Sequence, residues 1–213
     1  MRYAGPHLPE GPLEGRLTRL LLITPAEAGL MAIGRRLPWW AEGYPRRDDV
    51  DAAAMVQERW APGTAGWGPR HVVRGSDGLA VGSLGFFGPP DAHGVVEVGY
   101  GLVESARRQG LISDALAVAV AAAEAARATV QAHTAYGNQA SRRALERAGF
   151  TTTGVRDEKD EVRYTRAGPA VASEVQPLAG QPGTRDARRD LLEGDVAGEV
   201  RGTVPGLVVD AEG

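Results

Sequence analysis

Val95-Val96-Glu97-Val98-Gly99-Tyr100-Gly101-Leu102-Val103, followed by Ala106-Arg107-Arg108-Gln109-Gly110-Leu111-Ile112-Ser113-Asp114-Ala115-Leu116, is the stretch whose reading decides the fold. The first part is rich in valine and reads as a strand. The second is a basic, glycine-interrupted turn that runs into an alanine-rich segment, predicted to be helical from about Ser113 to Arg127. A helix N-terminus leaves about four backbone N–H groups without partners, beside the positive end of the helix dipole. Basic residues at such a terminus make a place for a phosphate-bearing ligand.

Reading onward, Thr129 to Thr134 is a second strand, so strand, helix and strand form a crossover unit whose strands run parallel. Asn138 to Ala148 follows as a helix, with Ala140, Ala144, Leu145 and Ala148 on one face. Gly149 supplies its left-handed cap, and Phe150–Val155 with Val162–Thr165 make a last hairpin. Reading backward, Leu79–Phe87 and His71–Arg74 are strands joined by the turn Gly75–Gly78. Asp48 or Asp49 caps a helix through about Trp60. Thr24 caps an earlier helix through Leu37, with Pro25 at its first position and Glu27 completing a capping box. Arg16–Ile23 is a first strand. The fold class is therefore α/β (α+β), a mixed sheet with helices on both faces.

Length and composition bound the rest. With 213 residues, 43% hydrophobic and 24% charged, the chain fits one domain and a tail. The domain spans 16–166. Residues 1–15 read as a loose leader, and 167–213, rich in Gly, Pro and acidic residues and without an aromatic, as a mostly flexible tail. A net charge of −3 gives no reason to expect nucleic acid. Cysteine is absent, which excludes disulfides and thiolate nucleophiles. The four histidines, His7, His71, His93 and His133, have no i, i+4 pair, so no metal site is expected. No apolar run reaches the roughly 18 residues of a membrane span. Pro6, Pro9 and Glu10 interrupt any signal-peptide pattern, so a cytoplasmic protein without a membrane partner is expected.

The strand 95–103 carries Glu97, Gly99 and Gly101 on one face. Glycine inside a strand marks a bulge or a close approach. Glu97 is then either a solvated edge carboxylate or the one polar side chain on the floor of a ligand groove. The turn has no GxGxxG and no P-loop lysine, so the dinucleotide and P-loop fingerprints are not met.

Taken together, Glu97-Val98-Gly99-Tyr100-Gly101-Leu102, Arg107-Arg108-Gln109-Gly110-Leu111-Ile112, Asn138-Gln139-Ala140-Ser141 and Ala148-Gly149-Phe150 resemble the GNAT superfamily of acetyl-CoA-dependent N-acetyltransferases. The nearest likeness in motif is to its ribosomal-protein alanine acetyltransferase branch. The resemblance covers about residues 16 to 166 and implies a mostly antiparallel sheet with one splayed parallel strand pair. It implies that acetyl-CoA is the co-substrate, its pyrophosphate on the turn Arg107, Arg108, Gln109, Gly110, Leu111, Ile112, Ser113 and Asp114. The pantetheine arm would meet the backbone of Leu102 and Val103 and the side chain of Asn138, with Ser141 near the thiol. Asn138 is equally a helix N-cap, and Ser141 equally a surface residue of the first turn. Two positions depart from the family pattern: Ile112 stands where a small residue is usual, and Leu145 where many members place a tyrosine acid.

Glu97 is the best candidate base, acting directly or through water, with His133 a weaker one. A backbone N–H near Val103 would polarise the thioester carbonyl. Trp39, Trp40 and Tyr44 would wall the acceptor pocket, or else cover a sheet edge. Glu42, Asp48 and Asp49 could hold an ammonium group. The expected acceptor is a small-molecule or peptide amine, and a homodimer stays open. The rival reading is a GNAT-fold module that binds acyl-CoA and does little chemistry.

Overall fold

The computed structural model describes residues 5–59 and 64–166. The tail expected from Ala167 and the helix end expected at Trp60 lie outside them. Eight strands form one sheet: β1 (Leu13–Glu14), β2 (Thr18–Leu22), β3 (Pro69–Arg74), β4 (Ala80–Phe86), β5 (Val95–Leu102), β6 (Thr129–Ala135), β7 (Thr151–Arg156) and β8 (Glu161–Arg166). Their spatial order is β1-β2-β3-β4-β5-β6-β8-β7. The helices are α1 (Pro25–Ala32), α2 (Arg47–Arg59), α3 (Leu111–Ala125) and α4 (Gln139–Arg147).

All neighbouring strands are antiparallel except β5 and β6, the crossover pair expected from the sequence. These two pair over three rungs only, from Val95 opposite Thr129 to Glu97 opposite Gln131. Beyond Glu97, β5 continues against β4 as far as Leu102, while β6 continues against β8 as far as Ala135. The sheet therefore opens between two parallel strands whose backbones no longer bond each other.

Helices cover both faces. Ser83 and Gly101 are cross-strand partners. On their side lies the start of α2: the Ser83 hydroxyl donates to Asp49, and Arg46 covers Gly101. Tyr100, one residue along and so on the other face, reaches Ser141 of α4. α3 packs across β2, β4, β5 and β6 on apolar side chains such as Leu111, Leu116 and Val120.

Helix ends explain where the expected boundaries shift. α1 opens with the capping box read from the sequence, Thr24 Oγ1 accepting from Glu27 N and Glu27 accepting from Thr24 N. It ends at Ala32 rather than Leu37. Gly34 takes φ +68°, and its N–H and that of Arg35 bond back to Met31 and Leu30 carbonyls. This double bond-back closes the last turn. α4 ends the same way at Gly149, φ +81°, as expected.

Residues 5–15 are not a loose leader. Leu8 and Leu13 are buried, and the buried Arg70 guanidinium donates to the carbonyls of Pro9 and Gly11. The Trp67 indole donates to Pro6 O. A buried guanidinium must find acceptors, and this segment supplies them.

Candidate active site

The turn read as a phosphate site is built by Gly110. Its φ of +78° puts it in the left-handed region and starts α3 without a side-chain cap. α1 and α4 are capped, α4 by Asn138 Oδ1 accepting from Ser141 N at 3.1 Å. At α3 the Asp114 N–H already bonds Gly110 O at 3.1 Å, which leaves Leu111, Ile112 and Ser113 as the terminal donors.

These three residues, with Gly110, line a cleft of about 880 Å³. That is ample for a cofactor-sized ligand, since such sites usually measure about 300–1,000 Å³. Tyr100, Gly101 and Leu102 line it from β5, at the end that has parted from β6. Asn138, Gln139, Ala140 and Ser141 line it from α4, and Arg46 and Asp48 from the start of α2. Five arginines (Arg46, Arg107, Arg108, Arg143 and Arg147) face only Asp48 and Glu104 there. An anion is therefore favoured by both charge and dipole.

Most of the residues expected at the cofactor come together here: Leu102, Arg107, Arg108, Gly110, Leu111, Ile112, Ser113 and Asn138. Three do not. The Asp114 carboxylate turns away, accepting from the N–H groups of Arg16, Leu17 and Thr18 and from the Thr18 hydroxyl. Gln109 gives its side-chain amide to Ser105 O and lies outside the cleft. Val103 is buried, and its N–H is taken by Val81 O at 2.9 Å, so it has no donor left for a thioester carbonyl. The Leu102 carbonyl accepts from Arg107 Nε at 3.2 Å, which fixes that guanidinium against the strand end.

Of the expected catalytic pair, Ser141 lines the cleft and Glu97 does not. Glu97 sits on the last paired rung of β5 and β6, with its Oε1 3.0 Å from His133 Nδ1. Base candidate and weaker candidate are thus one pair, at the point where the strands part. Of the glycines on the Glu97 face, Gly101 lines the cleft and Gly99 does not. A side chain at Gly99 would overlap the Phe87 ring, and one at Gly101 the Arg46 guanidinium.

The aromatic loop is core rather than pocket wall. Trp40 and Tyr44 are 3% and 1% exposed. Tyr44 Oη lies 2.6 Å from His71 Nδ1, and Trp39 meets the same imidazole edge-on at 4.9 Å between ring centres. None of the three lines the cleft. Asp49 is likewise no ammonium holder, being fully buried and bonded by Arg46 and Ser83. The residues of this region that do reach the cleft are Arg46 and Asp48.

One functional candidate was missed in the sequence. Tyr100 lines the cleft, with its phenolic oxygen 2.8 Å from Ser141 Oγ. The sequence places it in the Glu97–Leu102 motif, on the strand face opposite Glu97, and gives it no role. Leu145, in the position of the family's tyrosine, is fully buried core.

The family profile of the acetyltransferase (GNAT) domain matches residues 19–151. The chain belongs to the GNAT acetyltransferase family, and it is an acyltransferase. Solved structures agree in fold. The ribosomal-protein-S5-alanine acetyltransferase from Vibrio fischeri superposes with TM-score 0.52 at 14% identity, over 75% of this chain and 97% of its own. A GNAT-family acetyltransferase from Bacillus anthracis gives 0.53 at 12%, over 73% and 97%. RimL, a ribosomal L7/L12 α-N-protein acetyltransferase solved in complex with coenzyme A, gives 0.52 at 16%, over 73% and 97%. No curated protein matches the chain in sequence.

Proposed function

We propose that this protein transfers an acetyl group from acetyl-CoA to a primary amine, of a small molecule or a peptide N-terminus, by direct attack within a ternary complex. The observation that carries this reading is the uncapped start of α3, opening into an arginine-lined cleft where β5 and β6 part. Leu111–Ser113 offer N–H donors to the pyrophosphate and Arg107 and Arg108 offer charge. Leu102 and Asn138 flank the pantetheine arm.

In the reaction the amine nitrogen bonds the acetyl carbon, the C–S bond breaks, and CoA leaves as a thiolate that takes its proton from solvent. The proton lost by the amine passes to Glu97, through water because Glu97 does not line the cleft, or to bulk solvent. An α-amine with pKa near 8 is about a tenth unprotonated at pH 7, whereas a lysine near 10.4 is below about a thousandth. A base matters correspondingly more for a lysine. The departing sulfur takes its hydrogen bond from Ser141. With no cysteine in the chain, a cysteinyl acyl-enzyme is excluded. The neighbours that modify ribosomal proteins support a peptide amine as an acceptor worth testing first.

A second reading, an acyl-CoA-binding module with little chemistry, is favoured by Leu145 being buried core in the usual tyrosine position. Measuring CoA thiol release from acetyl-CoA with a panel of amines and N-terminal peptides separates the two. The enzyme gives acceptor-dependent thiol. The module gives thermal stabilisation by acetyl-CoA and no such release.

A further inference from the structure

We infer that Tyr100 is the positioning residue for Ser141, orienting its hydroxyl so that its proton points at the departing sulfur. This rests on the acetyl-transfer reading above and deepens it.

The two side chains come from opposite walls of the cleft: Tyr100 from the part of β5 that has parted from β6 and Ser141 from the first turn of α4. Their oxygens are 2.8 Å apart, and the phenol also lies 3.2 Å from the Ser141 carbonyl. A phenol has one proton and must choose. The carbonyl, near the start of α4, is an acceptor for the helix's own N–H four residues on, and the shorter contact is to Oγ. With the phenol proton on Ser141 Oγ, the serine's own proton is released to point elsewhere. A serine hydroxyl otherwise rotates freely and donates wherever an acceptor offers.

Asn138 holds the same serine from behind, accepting its backbone N–H at 3.1 Å. The backbone is therefore fixed by the helix cap, and the hydroxyl by Tyr100. Burial pushes the phenol's pKa up from its ordinary value, so it stays a protonated donor through neutral pH. No tyrosinate forms. Ser141 offers the thiolate a hydrogen bond, and because a thiol is already acidic (free Cys is about 8.5) that suffices without a strong acid. The phenol that the family's tyrosine would bring from α4 thus has a counterpart reaching from β5, one serine further from the sulfur.

The test is a double-mutant cycle of Tyr100→Phe and Ser141→Ala, read as thiol release from acetyl-CoA with hydroxylamine, a nucleophile too small to need an acceptor pocket. Acetyl-CoA affinity is followed by calorimetry in every variant. Tyr100→Phe keeps the ring and its packing. It is expected to lower kcat about tenfold with acetyl-CoA affinity unchanged, and Ser141→Ala at least as much. The double variant should match Ser141→Ala alone, and Ser141→Thr, which keeps a hydroxyl, should recover most of the rate. Multiplicative losses would make Tyr100 structural and overturn the proposal. Wild-type rates in Tyr100→Phe beside a slow Ser141→Ala would overturn it while leaving acetyl transfer standing. Absence of any enzyme-dependent thiol release from the wild type would refute the acetyl-transfer reading and the proposal with it.

Discussion

The Asp114 carboxylate accepts the Leu17 N–H at 2.9 Å, across 97 positions of the sequence. It also takes the Thr18 N–H and hydroxyl and the Arg16 N–H. The first turn of α3 is thereby pinned to the entry of β2, on the side away from the cleft. Gly15 is part of the arrangement, since a side chain there would overlap the Asp114 carboxylate. The helix start that faces the cleft is held in place by a carboxylate that never enters it.

Asp114→Ala should therefore cost stability through lost hydrogen bonds to a charged acceptor, about 2 kcal/mol after allowance for partial exposure. In a domain of this size that is a fall in Tm of roughly 4–8 °C, measurable by calorimetry. Acetyl-CoA affinity should fall severalfold as α3 loosens. Full stability in this variant would show that the pin contributes nothing.

Acid should weaken the fold through a second carboxylate. Burial tends to raise the Glu27 pKa, but the His71 imidazole and the Thr24 N–H and hydroxyl outweigh it, holding the carboxyl at about 2 against an ordinary 4.5. The His71 contact, at 3.6 Å, is an ion-pair distance rather than a hydrogen bond. Because the folded value lies below the unfolded one, the stabilisation is whole above pH 4.5 and is lost as pH falls toward 2. Glu27→Gln should flatten that part of the Tm–pH curve relative to wild type. Parallel curves for the two proteins would contradict the assignment.

Glu97→Gln should lower kcat/KM about 100-fold for a lysine-like amine and less for an α-amine, with acetyl-CoA affinity unchanged. His133→Ala, removing the hydrogen-bond partner 3.0 Å away, should give a smaller loss. Initial-rate kinetics with two amines of different basicity decide this. Equal, small effects on both would remove Glu97 from proton transfer.

The sheet, the parallel pair and the helix order were legible in the sequence because periodicity, β-branched runs and caps all agreed. Thr24 with Glu27, Asn138 and Gly149 are caps whose chemistry is local, and they stand where expected. What was not legible depends on which distant side chain fills a space. Gly99 and Gly101 looked alike as room for a ligand, yet the Phe87 ring fills the space at Gly99, and Gly101 lines the cleft with the Arg46 guanidinium against it. Trp40 and Tyr44 looked like a pocket wall, but the buried His71 draws them inward. Residues 5–15 looked loose by composition, and the acceptors needed by Arg70 hold them. The role of Tyr100 was not legible because its partner lies 41 residues away on another element.

The central claim is that α3 begins as an anion cradle for acetyl-CoA, and calorimetric titration of acetyl-CoA tests it most directly. Wild-type protein should bind. A variant carrying Arg107→Glu and Gly110→Val should not, because one change reverses a charge in the cleft and the other forces a β-branched residue into φ near +78°. Circular dichroism verifies that this variant is folded. Loss of binding in a folded variant is the predicted result, and unchanged affinity would contradict the cradle.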